Sequence, residues 1–255
     1  KSDVPHGETF LWERGIQLQI KEPTTYKEQL ELIKEKGFLI SKQEESECIR
    51  FLKQANYYRI SAYFLPFHQK GGGYFSNIAF SKVQKIYEFD SQLRGLIFSV
   101  IENIEINLRT KLSYFVAHKY GALGIEFFSI GMLSYFYKDM LAEDKKAIAA
   151  EIGTAPKLLE SWLRCLTDLR NRCAHYSRLY YWIFPAMPAI PKSSTILADR
   201  TLFTQLLVLK YLYPAPEKWS SKFVIPLKAL IDEYDKDISL NHIGFPENWE
   251  SLLNS

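Results

Sequence analysis

The sequence predicts an all-α protein with a small N-terminal helical lobe, and three features predict it. Apolar residues recur in steps of three and four across residues 81–120, the period of a buried helix face. A second stripe at the same spacing runs from Leu158 to Tyr180. Ahead of both, short apolar-periodic segments start at capping residues and stop at Gly or Asn. The lobe is assigned residues 1–78, and a helical domain ending in C-terminal helices is assigned residues 79–255.

Within the lobe, Thr24-Thr25-Tyr26-Lys27-Glu28 reads as a capping box before Leu30 and Ile33, with a stop at Gly37. Phe38-Leu39-Ile40 is a short apolar link. Ser41 is expected to cap a second helix through Cys48, Ile49 and Leu52 to about Asn56. The aromatic stretch from Asn56 to Phe67 contains one full charge, Arg59. It reads either as an anchor between lobes, through an ion pair or a cation–π contact, or as an RNA-phosphate contact. Gly71-Gly72-Gly73 marks a turn or hairpin tip, and without a following Gly-Lys-Ser/Thr it is no phosphate loop.

The long helix, from Ser81 to about Tyr120, carries Ile86, Phe89, Leu93, Leu96, Ile97, Val100, Ile101, Ile104, Leu108, Leu112 and Phe115 on one face, with Gly121 at its C-terminal cap. Its length allows a break near Gly95 or Ser99. Asp90 with Arg94, and Glu105 with Arg109, stand i,i+4 in the acid-first order that favours pairing. They are structural ion pairs in one reading. In the other, Glu105 and Arg109 orient catalytic groups or bind RNA. His118 reads as a helix-end residue and His242 as structural.

Pro156 suits the first turn of the second strong helix. Its stripe is Leu158, Trp162, Cys165, Leu166, Leu169, Cys173, Tyr176 and Tyr180. At about 100° per residue, Arg164, Asn171, His175 and Arg178 share the opposite face, with Arg170 at the flank. Arg170 and His175, five apart, do not align on a straight helix, so Arg170 has to reach round or the backbone has to bend. A face of His, Asn and Arg lacks the carboxylates that hard metal ions prefer and suits an anion. After it, Pro185, Pro188 and Pro191 mark an extended connector over residues 183–194. Helices are expected from about Asp199 to Tyr211 and from about Pro216 to Tyr234, the latter interrupted at Pro226, before a docking tail.

Net charge is only +3, so no global basic field is present and nucleic-acid contact has to come from local clustering. Three cysteines, Cys48, Cys165 and Cys173, have no CxxC or metal-ligand spacing and point to a reducing compartment. Residues 1–8 are polar without a signal-peptide apolar core, and no apolar run nears the roughly 18 residues a membrane span needs. The chain reads as cytoplasmic, needing neither membrane nor cofactor, and its start without Met suits a trimmed or processed protein.

Several stretches together resemble the abortive-infection (Abi) proteins of the AbiD/AbiF-like family. They are Asn56-Tyr57-Tyr58-Arg59-Ile60-Ser61-Ala62-Tyr63 with Pro66-Phe67, Tyr87-Glu88-Phe89-Asp90 with Leu93-Arg94, and Ile104-Glu105-Ile106 with Leu108-Arg109-Thr110. His118-Lys119-Tyr120-Gly121, Leu169-Arg170-Asn171 with Cys173-Ala174-His175 and Arg178-Leu179, and Ile243-Gly244-Phe245-Pro246 with Trp249 complete the set. Arg170-Asn171 with His175 is similar to the Arg-Asn-x-x-x-His signature of HEPN-type ribonucleases. The resemblance implies a HEPN-type helical bundle and a role in defence against phage. It also implies a ribonuclease restrained by a neutralising protein antitoxin or a small structured RNA. Tyr176 stands where the family often has a second histidine, and the segment between Phe128 and Pro156 looks short for substrate-gating loops.

The leading expectation is a metal-independent endoribonuclease in which His175 is the acid or base, Arg170 stabilises the phosphorane and Asn171 orients a hydrogen bond. Arg59, Arg109, Arg164, Arg178 and Tyr176 are expected to contact RNA, with Glu105, Asp90 and Arg94 in support. One histidine is short of an acid–base pair, which a homodimer would supply. The alternatives are a HEPN-type RNA-binding protein with little catalysis, and a purely structural helical module.

Overall fold

The computed structural model describes residues 23–121, 124–192, 194 and 196–254. Residues 1–8, read above for a leader, lie outside the described residues. The fold is an all-α bundle with, among the described residues, one two-residue strand pair. Helix α1 (Tyr26–Glu35) starts with the expected capping box, Thr25 accepting from the Glu28 amide and Glu28 from the Thr25 amide. Strand β1 (Phe38–Leu39) pairs in parallel with β2 (Ile78–Ala79). The apolar link is thus stitched to the start of the long helix.

Helix α2 (Glu45–Gln54) begins later than expected, with Glu44 as N-cap and no side-chain cap bond. Ser41 instead opens the preceding turn, its amide donating to Glu44 Oε2 at 2.8 Å. Helix α3 (Tyr57–Ser61) is capped by the Asn56 side chain and runs into a 3-10 turn over Ala62–Phe67. The glycine-rich segment is a tight reversal, with the Phe75 amide donating to the Phe67 carbonyl at 2.9 Å.

Helix α4 (Phe80–Tyr120) is continuous over 41 residues, with no break at Gly95 or Ser99. At 1.5 Å per residue it is about 60 Å long. Its predicted apolar face is buried, except that Leu96 and Phe115 are only partly covered. Asp90 and Arg94 are buried within that same face. The remaining helices pack along this spine. Helix α5 (Ile130–Asp139) and helix α6 (Ala142–Ile152) fill the segment that looked too short for gating loops.

Helix α7 (Pro156–Ala174) starts at Pro156 as expected and packs against α4, α5 and α6. The expected stripe is buried through Cys173 apart from Leu158, which is partly covered, but the helix does not continue to Tyr180. His175 is its C-cap, and Tyr176 turns to φ 54. The Tyr176 amide donates to the Cys173 carbonyl at 3.1 Å and the Ser177 amide to the Arg172 carbonyl at 2.8 Å. This pair of bonds is a left-handed helix stop, a position usually taken by glycine. With Tyr176 and no glycine at that position, the sequence carries no sign of it.

After the connector, α8 (Leu202–Leu212) begins three residues later than expected. The Asp199 carboxylate accepts from the Thr201 amide and the Thr201 and Thr204 hydroxyls, so it precedes the helix. Helix α9 (Pro216–Trp219) continues through a π turn over Ser220–Val224 into α10 (Ile225–Glu233). The wide turn ends two residues before Pro226, which has no amide to donate. The tail then turns at Gly244, where φ is 77° and an added Cβ would meet Thr201 Oγ1 at 1.9 Å. Helix α11 (Trp249–Asn254) closes the chain, with Trp219 Nε1 donating to the Leu253 carbonyl at 2.9 Å.

Candidate functional site

Glu105 is where the two strong helices meet chemically. One turn of α4 brings Arg109 back to it, Nη2 lying 2.7 Å from Glu105 Oε1. From α7, Arg170 Nε lies 3.6 Å from Glu105 Oε2. Arg109 Nε also donates to the Phe128 carbonyl at 3.0 Å, which ties the group to the start of α5. A single half-buried carboxylate therefore pairs with two guanidiniums, Arg109 by a hydrogen bond and Arg170 at ion-pair distance with its Nε lacking a hydrogen-bond partner, leaving the cluster cationic. Arg170 Nη1 donates to Asn171 Oδ1 at 3.4 Å, so Arg170 and Asn171 share a polar edge.

His175 stands five residues on, exposed at the helix C-cap. Its amide still donates to the Asn171 carbonyl at 2.9 Å. The helix stops there without a contact between the imidazole and Arg170 among the described residues, so the i,i+5 offset stands. Arg59 reaches this corner from α3 and donates through Nη1 to the Tyr176 carbonyl. It is an anchor between distant segments, made to a backbone carbonyl and not through an ion pair or a ring.

Asp90 and Arg94 act one layer deeper. The Asp90 carboxylate accepts from the Tyr63 hydroxyl at 2.6 Å and from Arg94 Nη1. It also accepts from the amides of Leu179 at 3.1 Å and Tyr180 at 2.7 Å. This bolts the strap that follows the motif onto the long helix. Tyr180 is buried as expected, but through this strap and not as part of a helical stripe.

The placement of Arg178 corrects the expectation of an exposed face shared with His175. It lies beyond the helix, half-buried, and burial pushes its guanidinium below the ordinary arginine range. Its carbonyl accepts from Arg172 Nε at 3.1 Å and Nη2 at 2.6 Å, while the Arg172 guanidinium stacks 3.6 Å from the Trp182 ring centre. Arg172 was missed by sequence reasoning, since no spacing rule links it to Trp182. Arg164 is exposed on α7 two turns before Asn171, outside the Glu105 cluster. Tyr176, expected in the stripe yet also as an RNA contact, is exposed.

Burial raises the Cys165 and Cys173 thiols to about 12, so neither is a thiolate at neutral pH. His242 Nδ1 lies 2.8 Å from the Tyr180 hydroxyl, and the ring packs edge-on against Tyr181, a structural place. His118 Nδ1 contacts the Tyr114 carbonyl at 2.8 Å, one turn back, near the end of α4. Among the described residues no three His, Cys, Asp or Glu side chains are placed to hold a metal ion. No described helix is long and apolar enough to cross a membrane.

Comparison with curated proteins and with solved structures gave no match. The family model for Abi-like proteins matches residues 50–125 and 123–181, just over half of the chain. The matched stretch contains every residue of the cluster above, from Arg59 to Arg178. The chain therefore belongs to the Abi-like protein family.

Proposed function

We propose that this protein is a HEPN-type, AbiD/AbiF-like endoribonuclease that acts in the cytoplasm during abortive infection, the role its family suggests. The observation that carries the reading is Arg170, held by Glu105 beside Asn171, on the helix whose exposed end is His175. Two guanidiniums around one carboxylate leave a net positive site that suits a phosphodiester. That carboxylate is already engaged by both arginines, which makes the donor set a poor match for a hard cation.

In this reading His175 removes the proton from an RNA 2′-OH, whose oxygen attacks the adjacent phosphorus. Arg170 stabilises the charge on the phosphorane through its planar fork, and Asn171 orients a hydrogen bond to phosphate. The P–O5′ bond breaks, leaving a 2′,3′-cyclic phosphate and a 5′-OH once the leaving oxygen takes a proton. A second copy of the chain would supply that proton from its own histidine, so the working form is a homodimer. A bound small structured RNA or a protein antitoxin would restrain it by covering the exposed histidine.

The test is cleavage of end-labelled RNA in EDTA by protein stripped of nucleic acid, comparing wild type with Arg170→Ala and His175→Ala. Cleavage by wild type alone supports the reading. Tight RNA binding without cleavage by any form would replace it with a non-catalytic RNA-binding protein.

A further inference from the structure

Beside the site stand two exposed tyrosine rings that the core does not use. Tyr176 occupies the left-handed stop of α7 at φ 54, a conformation open to glycine and strained for a residue with a side chain. The residue is 69% exposed, so packing does not explain a tyrosine there. Tyr58, on α3, is also 69% exposed, and the Tyr57 ring holds it edge-on at 5.8 Å.

Arg59 joins the two. It follows Tyr58 directly and donates through Nη1 to the Tyr176 carbonyl. Tyr58, Arg59 and Tyr176 thus meet at one exposed corner through that bond, one residue from His175. Arg59 is itself exposed, so its remaining donors face solvent. Aromatic rings interleaved with an arginine suit bases that are free to stack, with a phosphate between them. Duplex bases present only their edges in the grooves, so no base face is free to stack on such rings.

We infer that Tyr58, Arg59 and Tyr176 form a platform for unpaired nucleotides, so the substrate class is single-stranded RNA. The rings stack bases, and Arg59 holds the intervening phosphate at the approach to His175. This rests on the proposed RNA-cleaving reading and adds the strandedness of the substrate and the residues that sense it.

The experiment uses the full chain carrying His175→Ala, so that RNA survives, and reads binding by fluorescence anisotropy. The probes are oligoadenylate, the same strand in a duplex, and an abasic ribose-phosphate strand of equal length. Single-stranded oligoadenylate is expected to bind about ten-fold tighter than either other probe. Tyr58→Ala and Tyr176→Ala each weaken that binding about ten-fold and leave the abasic strand unaffected. Tyr58→Phe, which restores a ring, recovers the affinity. Tyr176→Gly loses it without lowering the melting temperature, which separates the ring from the fold.

Equal affinity for all three probes, or ring variants that bind like the parent, would overturn the platform. If EDTA-resistant cleavage is lost in Arg170→Ala while ring variants bind normally, the platform alone falls. If ring-dependent binding holds without any cleavage, the platform stands and the nuclease reading falls. No RNA binding by any form removes both.

Discussion

His175 is exposed at a helix end, so its removal deletes chemistry without deleting packing. His175→Ala is expected to cut the cleavage rate by about 100-fold or more with an unchanged melting temperature. A large loss of thermal stability would mean that the imidazole supports the fold. At the same corner, Tyr176→Gly should stabilise the protein by up to about 1 kcal/mol, because glycine accepts the left-handed stop without strain. Chemical denaturation measures this, and a clear destabilisation would show that the ring packs in solution. The Arg170-Asn171 and His175 trio was legible as text. Where the helix stops was not, because the stop position carries Tyr where a glycine would have announced it.

At the scale of elements, contacts one helical turn apart were readable and long-range ones were not. Asp90 with Arg94 and Glu105 with Arg109 form the pairs that i,i+4 spacing predicts. The bonds from Asp90 to the amides of Leu179 and Tyr180 cross 89 and 90 residues, and sequence spacing carries no trace of them. Asp90→Ala would leave Arg94 buried without its carboxylate and free two buried amides. A loss of about 3–5 kcal/mol is expected, measured by denaturant unfolding, and a loss below about 1 kcal/mol would contradict the bolt. Tyr63→Phe, which removes one donor among several, should cost only about 1 kcal/mol. The two-residue strand pair and the delayed start of α2 were equally silent, since two residues show no period and Ser41 fits a cap or a turn.

Across the whole molecule, the apolar period of α4 made the spine legible in advance, while its length left a break near Gly95 or Ser99 open that the continuous 41-residue helix closes. How the tail closes the bundle depended on contacts that no pattern encodes. Gly244 meets Thr201 too closely for any side chain. His242 is half-buried against Tyr180 and Tyr181, and that partial burial, with help from the Lys82 charge, holds its imidazole below the ordinary 6.5. The unfolded chain therefore binds this proton more readily than the folded one. The stabilising contribution is complete above pH 6.5 and is lost as pH falls below it. Thermal melts from pH 8 to pH 5 should show a decline that His242→Gln reduces, and identical profiles would rule the histidine out as its source. RNA affinity should also fall steeply with added salt if the arginines neutralise phosphates, and a flat response would remove the electrostatic part of the account.

The central claim, that His175 drives attack by the ribose 2′-OH without a metal ion, is tested most directly by the ends it leaves. In EDTA, wild-type protein should produce 2′,3′-cyclic phosphate and 5′-OH ends, and a single 2′-deoxynucleotide at a mapped cut site should abolish that cut. Cleavage that survives the deoxy substitution, or that leaves 5′-phosphate ends, would contradict it.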